Sequence, residues 1–68
     1  MKVTYDAEVD ILRIIFSSAP IEESDEEKPG IVIDYDQDGN IVGLEILDAS
    51  RRTENPLAVE YAVVGKAA

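Results

Sequence analysis

Two runs rich in β-branched residues, Ile31–Tyr35 and Ile41–Leu47, lie either side of Asp36-Gln37-Asp38-Gly39-Asn40. This stretch constrains the chain more than any other. Alternation at period two and a central Asp-Gly are the signature of a β-hairpin. Gly39 supplies the positive φ that other residues adopt only at a cost. Side chains of a strand alternate between its faces. Ile31, Ile33 and Tyr35 are therefore expected on the core face, paired with Val42, Leu44 and Ile46. Val32, Asp34, Ile41, Gly43, Glu45 and Leu47 fall on the other. A glycine inside a strand, here Gly43, implies a bulge or the close approach of another backbone.

The same stretch matches a calcium-loop pattern, D-x-[DN]-x-[DN]-G-x5-E, through Asp34, Asp36, Asp38, Gly39 and Glu45. Three aspartates would supply oxygens, the glycine the sharp bend and the glutamate a bidentate closing ligand. Such a loop needs a helix on each side. Pro29-Gly30-Ile31-Val32-Ile33 opposes one, and the outgoing strand carries Glu45 about 20 Å away from the turn. A hairpin turn is the expected use of these residues. Asp34, Asp36, Asp38 and Glu45 stand only as a weak metal candidate.

Sixty-eight residues make one small domain, residues 1–68, and a 46% hydrophobic content supports a folded core. Cysteine and histidine are both absent. That removes disulfides, thiolate zinc sites and the commonest general base and transition-metal ligand. No catalytic residue and no cofactor is assigned. No apolar run approaches a membrane span and no signal-like segment opens the chain, so a cytoplasmic location is expected. Net charge is −9, from fifteen acidic and six basic residues. Nucleic acid is thereby disfavoured as a partner and a basic protein allowed.

Before the hairpin, Met1–Tyr5 and Ile11–Phe16 read as two strands joined by Asp6–Asp10. Leu12, Ile14 and Phe16 are expected on the core face. Asp6 is a candidate cap for a single helical turn in the connection. Ser17–Pro29, with five acidic residues and two prolines, is a loop or a short charged edge strand around Ile21–Ser24. Asp48 is a candidate N-cap for a helical turn through Thr53. Leu57, Val59, Tyr61 and Val63 alternate with Ala58, Glu60 and Ala62, and a strand is expected there, although Asn55-Pro56 also suits a helix start. Gly65–Ala68 reads as a loose tail. The fold class expected is mainly β: a single antiparallel sheet of about four to five strands with hairpins, with room for one short helical segment near the C-terminus.

One small sheet has two faces. The second carries Ile11, Ile15, Val32, Ile41 and Leu47, with Arg13 among them. Burying one such apolar side chain contributes about 1.5–3 kcal/mol, so these six residues are expected to form an interface, in a homodimer or with another protein.

The runs Y-D-x-x-x-D-x-L at Tyr5–Leu12 and P-G-I-V-I-D-Y-D-x-D-G-N-I-V-G-L-E-I-L-D-A-S at Pro29–Ser50 resemble a family of short prokaryotic proteins known only as a domain of unknown function, DUF2283. The resemblance spans Met1 to about Arg52 and carries over no site residues. Such proteins often stand beside small toxin-like ones, so it implies an antitoxin-like role. The function expected is a non-enzymatic protein-interaction module, the acidic partner of a small basic protein or of its own kind. A cation-binding module on Asp34, Asp36 and Asp38 is the first alternative. A small hydrolase using Asp34 with Glu45, or Asp6 with Asp10, is the second.

Overall fold

The computed structural model describes residues 1–66. Ala67 and Ala68, the end of the expected tail, lie outside the described residues. Five strands, β1 (Lys2–Asp6), β2 (Ile11–Ile15), β3 (Glu23–Lys28), β4 (Ile31–Tyr35) and β5 (Ile41–Leu47), are followed by one short helix, α1 (Ala49–Arg52). They form one open antiparallel sheet in the order β1-β2-β5-β4-β3. The hairpin β4–β5 occupies its centre with β2, as the sequence pattern requires.

Turn chemistry fixes the register at each hairpin. Between β4 and β5, Gly39 takes φ 81°, and its N–H donates to the Asp36 carbonyl at 3.1 Å. Between β3 and β4 the loop is only Pro29-Gly30. Proline presets one φ and Gly30, at φ 81°, supplies the positive one, the combination a type II turn demands. The β1–β2 connection holds no helix. Asp6 instead accepts the N–H of Glu8 at 3.0 Å, and Asp10 takes a left-handed φ of 57°.

Directly opposed residues share a face, and the register defines two faces. One carries the rows Val3–Ile14–Leu44–Ile33–Asp25 and Tyr5–Leu12–Ile46–Ile31–Lys28, almost wholly apolar across β1, β2, β5 and β4 and charged at the β3 edge. The other carries Thr4–Arg13–Glu45–Val32–Glu26 and Lys2–Ile15–Gly43–Asp34–Ser24. The pairing of Ile31 with Ile46 and of Ile33 with Leu44 is as expected. At the turn end it is not: a bulge between Asp34 and Tyr35 sets Tyr35 opposite Ile41 and leaves Val42 as the extra residue. Ile41 is thereby moved off the second face. The Val42 carbonyl accepts from Phe16 and Ser17 N–H at 2.9 and 3.3 Å.

Three further expectations are corrected. The edge strand is Glu23–Lys28, not Ile21–Ser24. The Pro29-Gly30 turn aligns whatever precedes it with β4, and backbone pairing there outweighs the poor strand preference of five charged side chains. Asp48 precedes α1 but sits in the left-handed region, φ 54°, with no side-chain capping bond. Residues 57–64 form neither strand nor helix. Beyond Thr53 the backbone–backbone bond outside regular elements is Ala58 N–H to the Asn55 carbonyl, 3.2 Å. A strand exists only through a neighbour, and this arm lies along neither sheet edge.

The core is thin. The buried apolar side chains are Leu12, Val42 and Ala49; the remainder of the apolar face is half-buried, with Val3, Phe16 and Ile41 exposed. The molecule measures 35 × 33 × 19 Å, one sheet layer with a short helix and an arm at its side.

Candidate functional site

The acidic turn is a self-contained structure. Asp36 turns its carboxylate inward, accepting the N–H of Asp38 and of Asn40 at 2.9 Å each and the Asn40 side-chain amide at 3.2 Å. These bonds, that from the Asn40 backbone foremost, hold its carboxyl below the ordinary value. Asp38 is exposed at the tip. Asp34 and Glu45 lie on the second face, Asp34 opposite Gly43 and Glu45 opposite Val32 and Arg13. The four residues of the calcium-like pattern are thus dispersed. Among the described residues no three acidic side chains gather to hold a metal.

Asp34 is instead the centre of a second cluster. It is 1% exposed because its carboxylate folds over Gly43, whose missing Cβ leaves the room. Ser24 Oγ donates to Asp34 Oδ1 at 2.6 Å. Arg13 Nη2 stands 4.0 Å from Oδ2, too far for a good hydrogen bond. Asp34 Oδ2 and Arg13 Nε are both buried without a hydrogen-bond partner. The strand glycine and the buried aspartate therefore form one packing unit. Arg13, of the expected interface, is tied to it, while Ile11, Ile15, Val32 and Leu47 lie half-buried around it on the same face.

A third cluster joins the two ends of the chain. Asp10 Oδ1 accepts the Tyr5 hydroxyl at 2.7 Å and Ser50 N–H at 2.9 Å. Its Oδ2 accepts Ser50 Oγ at 2.6 Å, and its carbonyl accepts Ala49 N–H at 3.0 Å. Asp10, forty residues away, thus serves the first turn of α1 in place of Asp48. Sequence reasoning gave Asp10 turn chemistry or a place in a carboxylate pair with Asp6; the aspartate itself, which tolerates a left-handed φ better than most residues, was a local signal for the turn, but its partner Ser50 had none. The bonds from Ser50 and Tyr5 hold the Asp10 carboxyl below its ordinary range, and the same contact pushes the Tyr5 hydroxyl up. Tyr35 is likewise pushed up by its bond to Glu27 Oε1, 2.7 Å. The pairs Asp6–Asp10 and Asp34–Glu45 are not brought into mutual contact; Asp6, Asp10 and Asp34 are engaged in turns, caps and packing.

These contacts set an acid limit. Asp10 and Asp36 titrate lower folded than unfolded, so their stabilisation is whole above the unfolded carboxylate range near pH 4 and declines as pH falls through the folded values. Asp10→Asn and Asp36→Asn are each expected to flatten the loss of stability below about pH 4, read as denaturant midpoint against pH. Wild-type steepness in both variants would show that other carboxylates govern acid unfolding. The two tyrosines act in the opposite sense, contributing below about pH 10 and losing that contribution as alkali deprotonates them.

Among the described residues no helix is long and apolar enough to cross a membrane. No curated protein and no solved structure gives a significant match to this chain. A model of one family, described as a protein of unknown function (DUF2283), matches residues 2–50, from β1 through the Ser50 that Asp10 holds. With that model covering all five strands, the chain belongs to the DUF2283 family.

Proposed function

We propose that this protein is a non-enzymatic interaction module that works as a homo-oligomer, associating through the apolar face of its sheet. The observation that carries this reading is the layer of Ile14, Leu44, Ile33, Ile31 and Ile46, apolar side chains that their own chain leaves only half-buried. A stable domain ordinarily buries a sheet face against a second layer, and here α1 is four residues long. Exposed apolar side chains at the margins of the sheet, Val3, Phe16 and Ile41, rim this face and not the one expected from the sequence, where Asp34, Arg13 and Glu45 take the middle positions. A second copy supplies the missing layer with matching chemistry. Standard interfaces remove about 800 Å² from each partner, a demand that a face of this sheet's breadth meets.

Sedimentation of the full chain at micromolar concentrations is expected to show a dimer. Ile33→Lys, with a charge at the centre of the apolar face, is expected to give a folded monomer. Val32→Lys, one residue away on the opposite face, is expected to leave the dimer in place. The reverse pattern would assign association to the face of Ile11, Ile15, Val32 and Leu47, and a monomeric wild type would end the proposal.

A further inference from the structure

The C-terminal arm carries a strand pattern that its own fold does not use. Leu57, Val59, Tyr61 and Val63 alternate with Ala58, Glu60 and Ala62, and with Val64 they are 62% to 87% exposed. Thr53–Pro56 and Ala58–Glu60 border an open groove beside Leu12, and Tyr61, Val63 and Val64 beyond it are exposed. The sheet, for its part, ends in two unlike edges. β3 reads Glu-Ser-Asp-Glu-Glu-Lys, fully exposed and bulged between Glu26 and Lys28, features that deter a further strand. β1 is unbulged and pairs only with β2. It holds no proline and carries two charged residues, Lys2 and Asp6, against the five of β3.

We infer that the arm, residues 57–64, adds as a sixth strand to the β1 edge of a second copy, the two copies exchanging arms reciprocally. The inference rests on the self-association proposed above and names the segment that completes it. Among the described residues the arm pairs with neither edge of its own sheet, which leaves its backbone groups available to a second copy. Eight extended residues span about 26 Å, more than enough to run the length of β1. Alternation then sets Leu57, Val59, Tyr61 and Val63 beside Val3 and Tyr5, widening the apolar layer. Ala58, Glu60 and Ala62 fall on the other face, where Glu60 meets the side that carries Lys2. Backbone pairing supplies affinity and alternate side chains the register, as in other strand additions. Because each arm visits the same edge of the other copy, the assembly closes as a two-fold dimer.

Hydrogen exchange of the full chain tests this at two concentrations, chosen on either side of the dissociation constant that sedimentation gives, where mass action separates monomer from dimer. Amides of residues 58–64 and the outward amides of β1 are expected to exchange at least about tenfold more slowly at the higher concentration. Val59→Pro removes a strand donor and is expected to abolish that protection and to weaken the dimer at least about tenfold, with circular dichroism of the sheet unchanged. Arm protection independent of concentration would place the arm on its own sheet and overturn the inference. A Val59→Pro protein that still sediments as the wild-type dimer, its arm unprotected, would overturn it while leaving face-to-face association intact. A wild type that stays monomeric would overturn both.

Discussion

Leu12→Ala is expected to lower the unfolding free energy by about 2–5 kcal/mol. Leu12 is 8% exposed, lies in β2 between Tyr5 and Ile46, and borders the groove beneath residues 53–60. It is one of three buried apolar side chains among the described residues, so no deep core surrounds it to collapse into the space left behind. Native stability scales at about 0.05–0.15 kcal/mol per residue, which gives this chain roughly 3–10 kcal/mol. The substitution removes a large share of that total and is expected to lower the urea midpoint in proportion. Val3→Ala, at the free edge of the same face, is expected to change stability by less than about 1 kcal/mol. Urea denaturation at one protein concentration compares them. Equal losses would mean that stability is carried by the assembled face and not by the contacts of Leu12 within one copy.

The central hairpin was legible because two independent local signals agree there. Asp36–Asn40 has the chemistry of a tight turn, and the flanking runs alternate in a phase that the turn alone would also impose. The pairing of Ile33 with Leu44 follows from both. Gly43 was legible as an anomaly: a bulge lies beside it, but the closest approach to where its Cβ would be is by a side-chain carboxylate and not by another backbone, the Ile14 carbonyl standing farther off at 3.4 Å. What the sequence did not reveal is which group. The carboxylate over Gly43 comes from the adjacent strand, and the same aspartate had been read as the first ligand of a calcium-like pattern.

The misplaced elements share a cause. β3 is built from residues with poor strand preference because the Pro29-Gly30 turn delivers them to β4, a pairing invisible to a reading of side-chain composition alone. The arm at 57–64 is the converse: good strand residues with no adjoining edge in their own chain. Asp48 had the right residue type at the right offset to cap α1, yet the chain turns through a left-handed conformation there, and Asp10 takes the role across forty residues. Local preference is weak wherever backbone partners are decided at long range. Which face the candidate interface residues share was partly legible: alternation groups Ile11, Arg13, Ile15, Val32 and Leu47 on one face, and only the bulge, a tertiary feature, removes Ile41 from it.

Gly43→Ala is expected to cost about 1–3 kcal/mol, the range for forcing an added carbon into a filled site. A Cβ built on Gly43 falls 2.8 Å from Asp34 Oδ2, 3.4 Å from the Ile14 carbonyl and 3.5 Å from Asp34 Cβ. Backbone strain is not the obstacle, since Gly43 is not among the positive-φ glycines. The obstacle is the carboxylate, and it yields poorly because Asp34 is buried and its other oxygen is held by Ser24. Asp34→Ala alone is also expected to destabilise, by about 1–3 kcal/mol, through loss of the Ser24 bond and of the charge facing Arg13. Together the two changes should cost less than their sum. Once the carboxylate is gone, the methyl added at position 43 occupies part of the space it filled, and the coupling between contacting residues is of order 0.5–3 kcal/mol. A double-mutant cycle in denaturant measures it. Strict additivity would show that glycine is required at position 43 for some reason other than Asp34. Sub-additivity would establish that the aspartate and the glycine, the two oddest residues of the central hairpin, are a single packing device, and that Asp34 is there to fill the sheet and not to hold a cation.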